Sequence, residues 1–135
     1  MKVRQEEMFQ PEESEQPLRI FTDGAGARPD GKGSGYGFLR TDTGEKQVTR
    51  EDGLTNNQAE YKGIILALES LPRGTVVEVC TDSEVICAQL NRTYSVRNPK
   101  LALLWNDVQE VIQRKSLKTT FVWVPRQENP AGKLL

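Results

Sequence analysis

Asp23, Glu60 and Asp82 are the acidic residues whose positions could do chemistry. Asp23 follows a short alternating run, Leu18 to Thr22, and Asp82 follows a second apolar run, Thr75 to Thr81. Glu60 lies one turn into a stretch with helical spacing, on the face it shares with Asn56 and Asn57 at i, i+3 and i, i+4 separation. In a mixed α/β sheet, ligands usually sit at the C-terminal ends of strands, where both aspartates fall. Taken singly, each acid also has a plain structural role, and Asp82 stands where an aspartate would cap the next helix. Their joint placement is what points to a site.

The composition narrows the chemistry further. The chain has 135 residues and no His, which excludes His general-base catalysis, Ser-His-Asp triads and most zinc sites. Carboxylates, hydroxyls, amides and cations are left. Cys80 and Cys87 are too few for a disulfide framework or a four-ligand metal cage, so a reducing, cytoplasmic setting is the expectation. They read as small buried residues. With 36% hydrophobic and 27% charged residues, a single globular domain is expected, with no transmembrane run and no signal-peptide pattern. Residues 1–17 carry two cations and five anions and read as a solvated acidic tail, leaving 18–135 as the domain. Between Arg92 and Lys118, six cations face only Asp107 and Glu110, enough to steer a polyanion or simply to form a solvated helix face.

These residues need elements to hold them. Leu18–Thr22, Tyr36–Thr41 and Glu45–Arg50 read as a meander of three strands, the last two joined by Asp42-Thr43-Gly44. Thr55 and Gln58 form a capping box, and Tyr61, Ile64, Ile65, Leu68 and Leu71 continue at helical spacing, so a helix is expected over Asn56–Leu71. Thr75–Thr81 is a buried-type strand, and Asp82-Ser83 opens a helix to about Asn91. Asn98-Pro99 starts a third helix, with Leu101, Leu104, Trp105, Val108, Val111 and Ile112 on one face. Thr119–Val124 is the last strand, a helical start is expected at Pro130, and Trp105 and Trp123 are expected in the core. The order implies an α/β fold with a mixed sheet and helices on its faces.

The glycine-rich stretch after Asp23 invites a phosphate-loop reading and fails it. Gly33 stands where Ser or Thr would ligate magnesium, and Gly35-Tyr36-Gly37-Phe38-Leu39 continues as a strand rather than a helix. Gly24-Ala25-Gly26 fails the dinucleotide pattern because Pro29 follows and no helix begins. A wide turn between two strands is the expected role.

The joint pattern resembles the type 1 ribonuclease H family over nearly all of residues 18–131. The matching segments are Thr22-Asp23-Gly24, Thr55-Asn56-Asn57-Gln58-Ala59-Glu60-Tyr61, Thr81-Asp82-Ser83, and Trp123-Val124-Pro125-Arg126 with Asn129. The resemblance implies a mixed five-stranded sheet, antiparallel over its first three strands and parallel for its fourth and fifth, with helices on both faces. It implies that Asp23, Glu60 and Asp82 are the catalytic carboxylates and bind two Mg²⁺ ions, with Mn²⁺ as an alternative. Hard oxygen ligands suit such ions, and converging carboxylates repel unless neutralised. The implied reaction is hydrolysis of the RNA strand of an RNA–DNA hybrid. Gly24, Arg28, Thr55, Asn56, Asn57 and Arg126 are the implied substrate contacts, with amides reading 2′-hydroxyls and arginines meeting phosphate. The expected partner is the hybrid, without a membrane or a protein partner, and the expected state is a monomer.

Three departures from the family pattern stand out. A fourth carboxylate is expected near the start of the last helix, but Lys133 occupies its place without a gap and Gly132 with one. The ligand could come from beyond Leu135, from the Leu135 carboxylate, or from nothing, and the last helix is expected to be incomplete. No His assists turnover, and Val124-Pro125-Arg126 stands in that region. The extra basic helix of many members is missing between Asn91 and Asn98, with Arg92, Arg97 and Lys100 as a smaller surface. Two alternatives therefore stay open: a hybrid-binding module with impaired catalysis, or another nuclease on the same fold.

Overall fold

The computed structural model describes residues 16–28 and 33–135. The acidic-tail expectation lies outside the described residues except for Gln16 and Pro17, which are exposed. Five strands form one sheet: β1 (Leu18–Ala25), β2 (Gly35–Arg40), β3 (Lys46–Arg50), β4 (Val76–Thr81) and β5 (Lys118–Trp123). Their spatial order is β3-β2-β1-β4-β5. The first three pair antiparallel, while β4 runs parallel to both β1 and β5. The mixed sheet is as expected. Its consequence is that β1 and β4 end side by side, so the aspartates that follow the apolar runs become neighbours.

Three α-helices are described: α1 (Asn56–Glu69), α2 (Glu84–Leu90) and α3 (Pro99–Arg114). The capping box at the start of α1 is formed in full: Thr55 Oγ1 accepts from the Gln58 amide and Gln58 Oε1 accepts from the Thr55 amide. Asn98 caps α3, accepting from Lys100 and Leu101, with Pro99 in the first turn. At α2 the cap is Ser83, whose hydroxyl accepts from the Ile86 amide. Asp82 is thus relieved of the capping role its sequence position offered, and its carboxylate is available for something else.

Strand alternation divides the sheet into two faces. Ile20, Phe38, Val77 and Val79 meet Tyr61, Ile64 and Leu68 of α1, Ile86 and Leu90 of α2, and Val108 and Val111 of α3 in the larger core. Burying a side chain of this size contributes about 1.5–3 kcal/mol, so this face provides most of the hydrophobic stabilisation. Phe21, Cys80, Val124 and Ala131 form a smaller core on the other face, against Val122 and Leu134. Helices therefore lie on both faces, but the second carries only a 3-10 turn, Pro130–Leu134, preceded by another at Arg126–Glu128. The helical start expected at Pro130 is realised as that 3-10 turn.

Two expectations for the tryptophans separate. Trp105 packs against the larger core, donates to the Gln89 carbonyl, and has the Arg92 guanidinium over its ring at 5.1 Å. Trp123 does not fill the core. It is 44% exposed, because it sits at the end of edge strand β5, and its indole N–H donates to the Asp82 carbonyl at 3.2 Å. The cysteines are buried, as expected.

Candidate active site

Two glycines let α1 lie hard against the sheet. A Cβ at Gly24 would stand 2.2 Å from the Ala59 carbonyl carbon, and one at Gly63 would stand 2.8 Å from the Asp23 carbonyl oxygen. The close approach brings Glu60, in the first turns of the helix, to the end of β1 beside Asp23. Asp82 follows the adjacent parallel strand. One carboxylate oxygen from each of Asp23, Glu60 and Asp82 lies within 4.8 Å of the others, the one such group of potential metal ligands among the described residues.

The cluster is electrostatically costly as it stands. Glu60 is 6% exposed, and its Oε1 and the Oδ1 of Asp82 are buried without a hydrogen-bond partner. Burial first, then the charges of Asp23 and Asp82, push the Glu60 carboxyl up to about 9. Burial and the neighbouring Asp82 charge raise Asp23 to about 6, against the pull of the Gly24 amide and the Arg126 charge. Three carboxyls this close and this buried repel one another unless a proton or a cation stands among them. Orphaned buried oxygens, mutual repulsion and an all-oxygen donor set together fit a hard divalent cation.

Asp82 is held by Asn129. The Asn129 amide donates to Asp82 Oδ2 at 3.0 Å and to the Thr22 carbonyl at 2.9 Å, while its Oδ1 accepts from Ala131. One buried side chain thereby ties the two aspartate-bearing strands to the Pro130–Leu134 turn. The sequence marked Asn129 only as part of a matching segment; a contact spanning 47 residues has no local signal.

A cleft of about 570 Å³ opens over the cluster, and its walls gather most of the other candidates. Gly24, Arg28, Asn56, Asn57 and Arg126 line it together with the three acids. Thr55 does not: it is occupied as the α1 cap and lines an adjoining groove with Asn57, Asn98 and Lys100. Asn56 also has a structural task, its Oδ1 accepting from the Gly26 amide at 2.7 Å, which fixes the start of the β1–β2 loop. Gly132 and Lys133 line the cleft as well. A Cβ at position 132 would lie 3.5 Å from Asp23 Oδ2, so Gly132 is the residue whose side-chain direction meets the cluster.

A mixed sheet with three convergent carboxylates where its adjacent parallel strands end is the frame of a metal-dependent phosphoryl-transfer enzyme. Comparison with known proteins gives this frame its family. The RNase H family model matches residues 15–126. A ribonuclease H of Pseudomonas fluorescens is 34% identical over 125 residues, covering 83% of this chain and 80% of its own. The bifunctional protein Rv2228c of Mycobacterium tuberculosis is 29% identical over 117 residues, and the match spans only 32% of that longer chain. Among solved structures, LC11-RNase H1, isolated from compost and crystallised in complex with an RNA/DNA hybrid, is 32% identical. It superposes with a TM-score of 0.77 over 87% of this chain and 92% of its own. The chain belongs to the RNase H family and is a ribonuclease H enzyme by fold and by kinship.

Proposed function

We propose that this protein is an endonuclease that hydrolyses the RNA strand of RNA–DNA hybrids, leaving 3′-hydroxyl and 5′-phosphate ends. The observation that carries the reading is the convergence of Asp23, Glu60 and Asp82, from three separate segments, in a cleft that Arg126 also lines. Asp23, Glu60 and Asp82 would hold Mg²⁺, or Mn²⁺ in its place. Divalent cations bound there supply the activation of water and the stabilisation of the departing oxygen.

The chain's own side chains do the rest. Asn129 holds the Asp82 carboxylate in one orientation, so the cluster is preorganised rather than assembled on binding. Arg126 bears a permanent positive charge toward the acids and toward an incoming phosphate. Arg28 lines the same cleft and meets a neighbouring phosphate. Asn56 and Asn57 line the cleft, and their side-chain amides would read a 2′-hydroxyl, which separates RNA from DNA, while Gly24 contributes the close approach of the backbone there. Thr55 contributes by its cap, which fixes the first turn that carries both asparagines.

An end-labelled hybrid, incubated with and without Mg²⁺ or Mn²⁺, tests the proposal, with single-stranded RNA and duplex DNA as controls. Metal-dependent internal cuts confined to the RNA of the hybrid are expected, and Asp23→Asn abolishes them while the protein remains folded. Retention of the hybrid without cutting would make the chain a binding module instead. Cutting of duplex DNA or of single-stranded RNA at equal rates would indicate another nuclease of this fold. Among the described residues no helix is long and apolar enough to cross a membrane.

A further inference from the structure

We infer that Ser34, a buried residue outside the cleft, is a positioning residue for the hybrid: its hydroxyl sets where Asn56 and Asn57 stand against the β1–β2 loop. This rests on the functional reading above. Ser34 is 1% exposed and just precedes β2, whose pairing with β3 ends at Gly35 and Arg50. Past that rung the Glu51 amide still donates to the Ser34 carbonyl at 3.2 Å. The hydroxyl then carries the pairing round the Asp52-Gly53 turn: Oγ donates to the Glu51 carbonyl and accepts from the Leu54 amide at 3.2 Å. Gly53 allows that turn, its φ of +84° lying in the left-handed region. One side chain thus closes residues 51–54 onto the sheet, and Thr55, the α1 cap, follows directly.

The β1–β2 loop rests on the segment so placed. The Gly26 amide donates to Asn56 Oδ1 at 2.7 Å, and a Cβ at Gly26 would lie 2.8 Å from the Asn56 nitrogen and 3.0 Å from the Leu54 carbonyl oxygen. Gly24 and Arg28, from β1 and the loop after it, and Asn56 and Asn57, from α1, are therefore in register across the cleft only while Leu54 is held. A second tether reaches the same segment. The Glu51 carboxylate accepts from Tyr36 Oη at 3.1 Å and from Lys62 Nζ at 2.8 Å. The Glu51 and Lys62 side chains are 37% and 30% exposed, and an ion pair so open to water holds little. The Ser34 hydroxyl is shielded from water and serves two backbone groups at once, so it is the stronger hold. The carboxylate cluster does not depend on it: Gly24 and Gly63 set Glu60, and Asn129 sets Asp82. Loss of the hydroxyl disturbs substrate contact and leaves the reacting centre in place.

Steady-state cleavage of an RNA–DNA hybrid by the full chain in saturating Mg²⁺ tests the inference, with Ser34→Ala, Ser34→Thr and Glu51→Ala beside wild type. Circular dichroism follows the folded fraction of each. Ser34→Ala is expected to raise KM about fivefold or more with kcat within about twofold of wild type, and Ser34→Thr, which keeps the hydroxyl, to restore KM. Glu51→Ala keeps the backbone carbonyl but loses the Tyr36 and Lys62 contacts, and is expected to stay within about twofold in both. A merely structural role would lower the active fraction, and so kcat, at unchanged KM; that result overturns the inference. So does a Glu51→Ala that raises KM as much as Ser34→Ala, or a folded Ser34→Thr no better than Ser34→Ala. If Ser34→Ala does not fold, Ser34→Cys, whose thiol is a weaker partner at the same place, gives the same comparison. A wild type that cuts no hybrid overturns the functional reading and this inference with it, whereas a wild type that cuts while Ser34→Ala keeps its KM removes only the role of Ser34.

Discussion

Replacing Glu60 by Gln should inactivate the enzyme and, without metal, make it more stable, by an amount that grows with pH. The unfolded Glu60 carboxyl titrates near its ordinary 4.5, while burial and the adjacent aspartates raise it to about 9 in the folded chain. Between those values the folded state binds the extra proton. The contribution is therefore fully present below about pH 4.5 and is lost as pH rises toward 9, at about 1.4 kcal/mol per pH unit. By pH 8 the loss reaches up to about 5 kcal/mol. Glutamine has no charge to desolvate and none to repel Asp23 and Asp82. The variant should match wild type near pH 5 and exceed it at pH 8 by several kcal/mol, on the order of 10 °C in Tm for a domain of this size. Thermal melts followed by circular dichroism from pH 5 to 8 in a chelator read this directly. Mg²⁺ should then restore the wild type at pH 8 far more than the variant. Parallel Tm–pH curves for the two proteins, or a variant less stable than wild type at pH 8, would refute the claim that Glu60 is held at an electrostatic cost.

Other perturbations probe how the cluster is held. Asn129→Ala leaves the Thr22 carbonyl and Asp82 Oδ2 without their donor in a buried setting; a loss of about 2–4 kcal/mol in urea melts is expected, with slower cleavage even in the folded fraction. Gly24→Ala forces a Cβ to within 2.2 Å of the Ala59 carbonyl carbon, so α1 must move from β1; stability should fall by about 3 kcal/mol or more, and an unchanged Tm would contradict the packing described. Tyr61→Phe removes a buried hydrogen bond to Gln89 Oε1 at 2.7 Å, remote from the cleft; Tm should drop by the equivalent of about 1–2 kcal/mol while kcat stays unchanged. Because binding a cation displaces the proton held by Glu60 and Asp23, Mg²⁺ affinity measured by calorimetry should rise steadily from pH 5.5 to 8.

Much of this was legible in the sequence because it is local. The capping box at Thr55 and Gln58, the Asn98-Pro99 helix start and the period-two strands depend on neighbours a few residues away, and they stand as read. The position of Asp82 just past its strand follows from the same local patterns, and the spacing of Thr55–Glu60 put the third acid on a helix; Asp23, expected to end the first strand, lies inside β1, because pairing with β2 carries the strand on to Ala25. Which role each residue would take was not local. Asp82 read equally well as a helix cap until Ser83 took that task, and Trp123 read as core until β5 proved to be an edge strand. The convergence itself depends on the parallel pairing of β1 with β4 and on Gly24 and Gly63 admitting the helix, contacts that join segments tens of residues apart. Asn129 became a site residue only through hydrogen bonds spanning 47 and 107 residues. Likewise, the sequence left Gly132 and Lys133 as equal candidates for one position, and the direction of a bond from an anchored turn toward Asp23 chose between them. Sequence determines what a segment can form and which chemistries its side chains exclude. Distance between segments, and so the field at each carboxylate, exists only once the chain has folded.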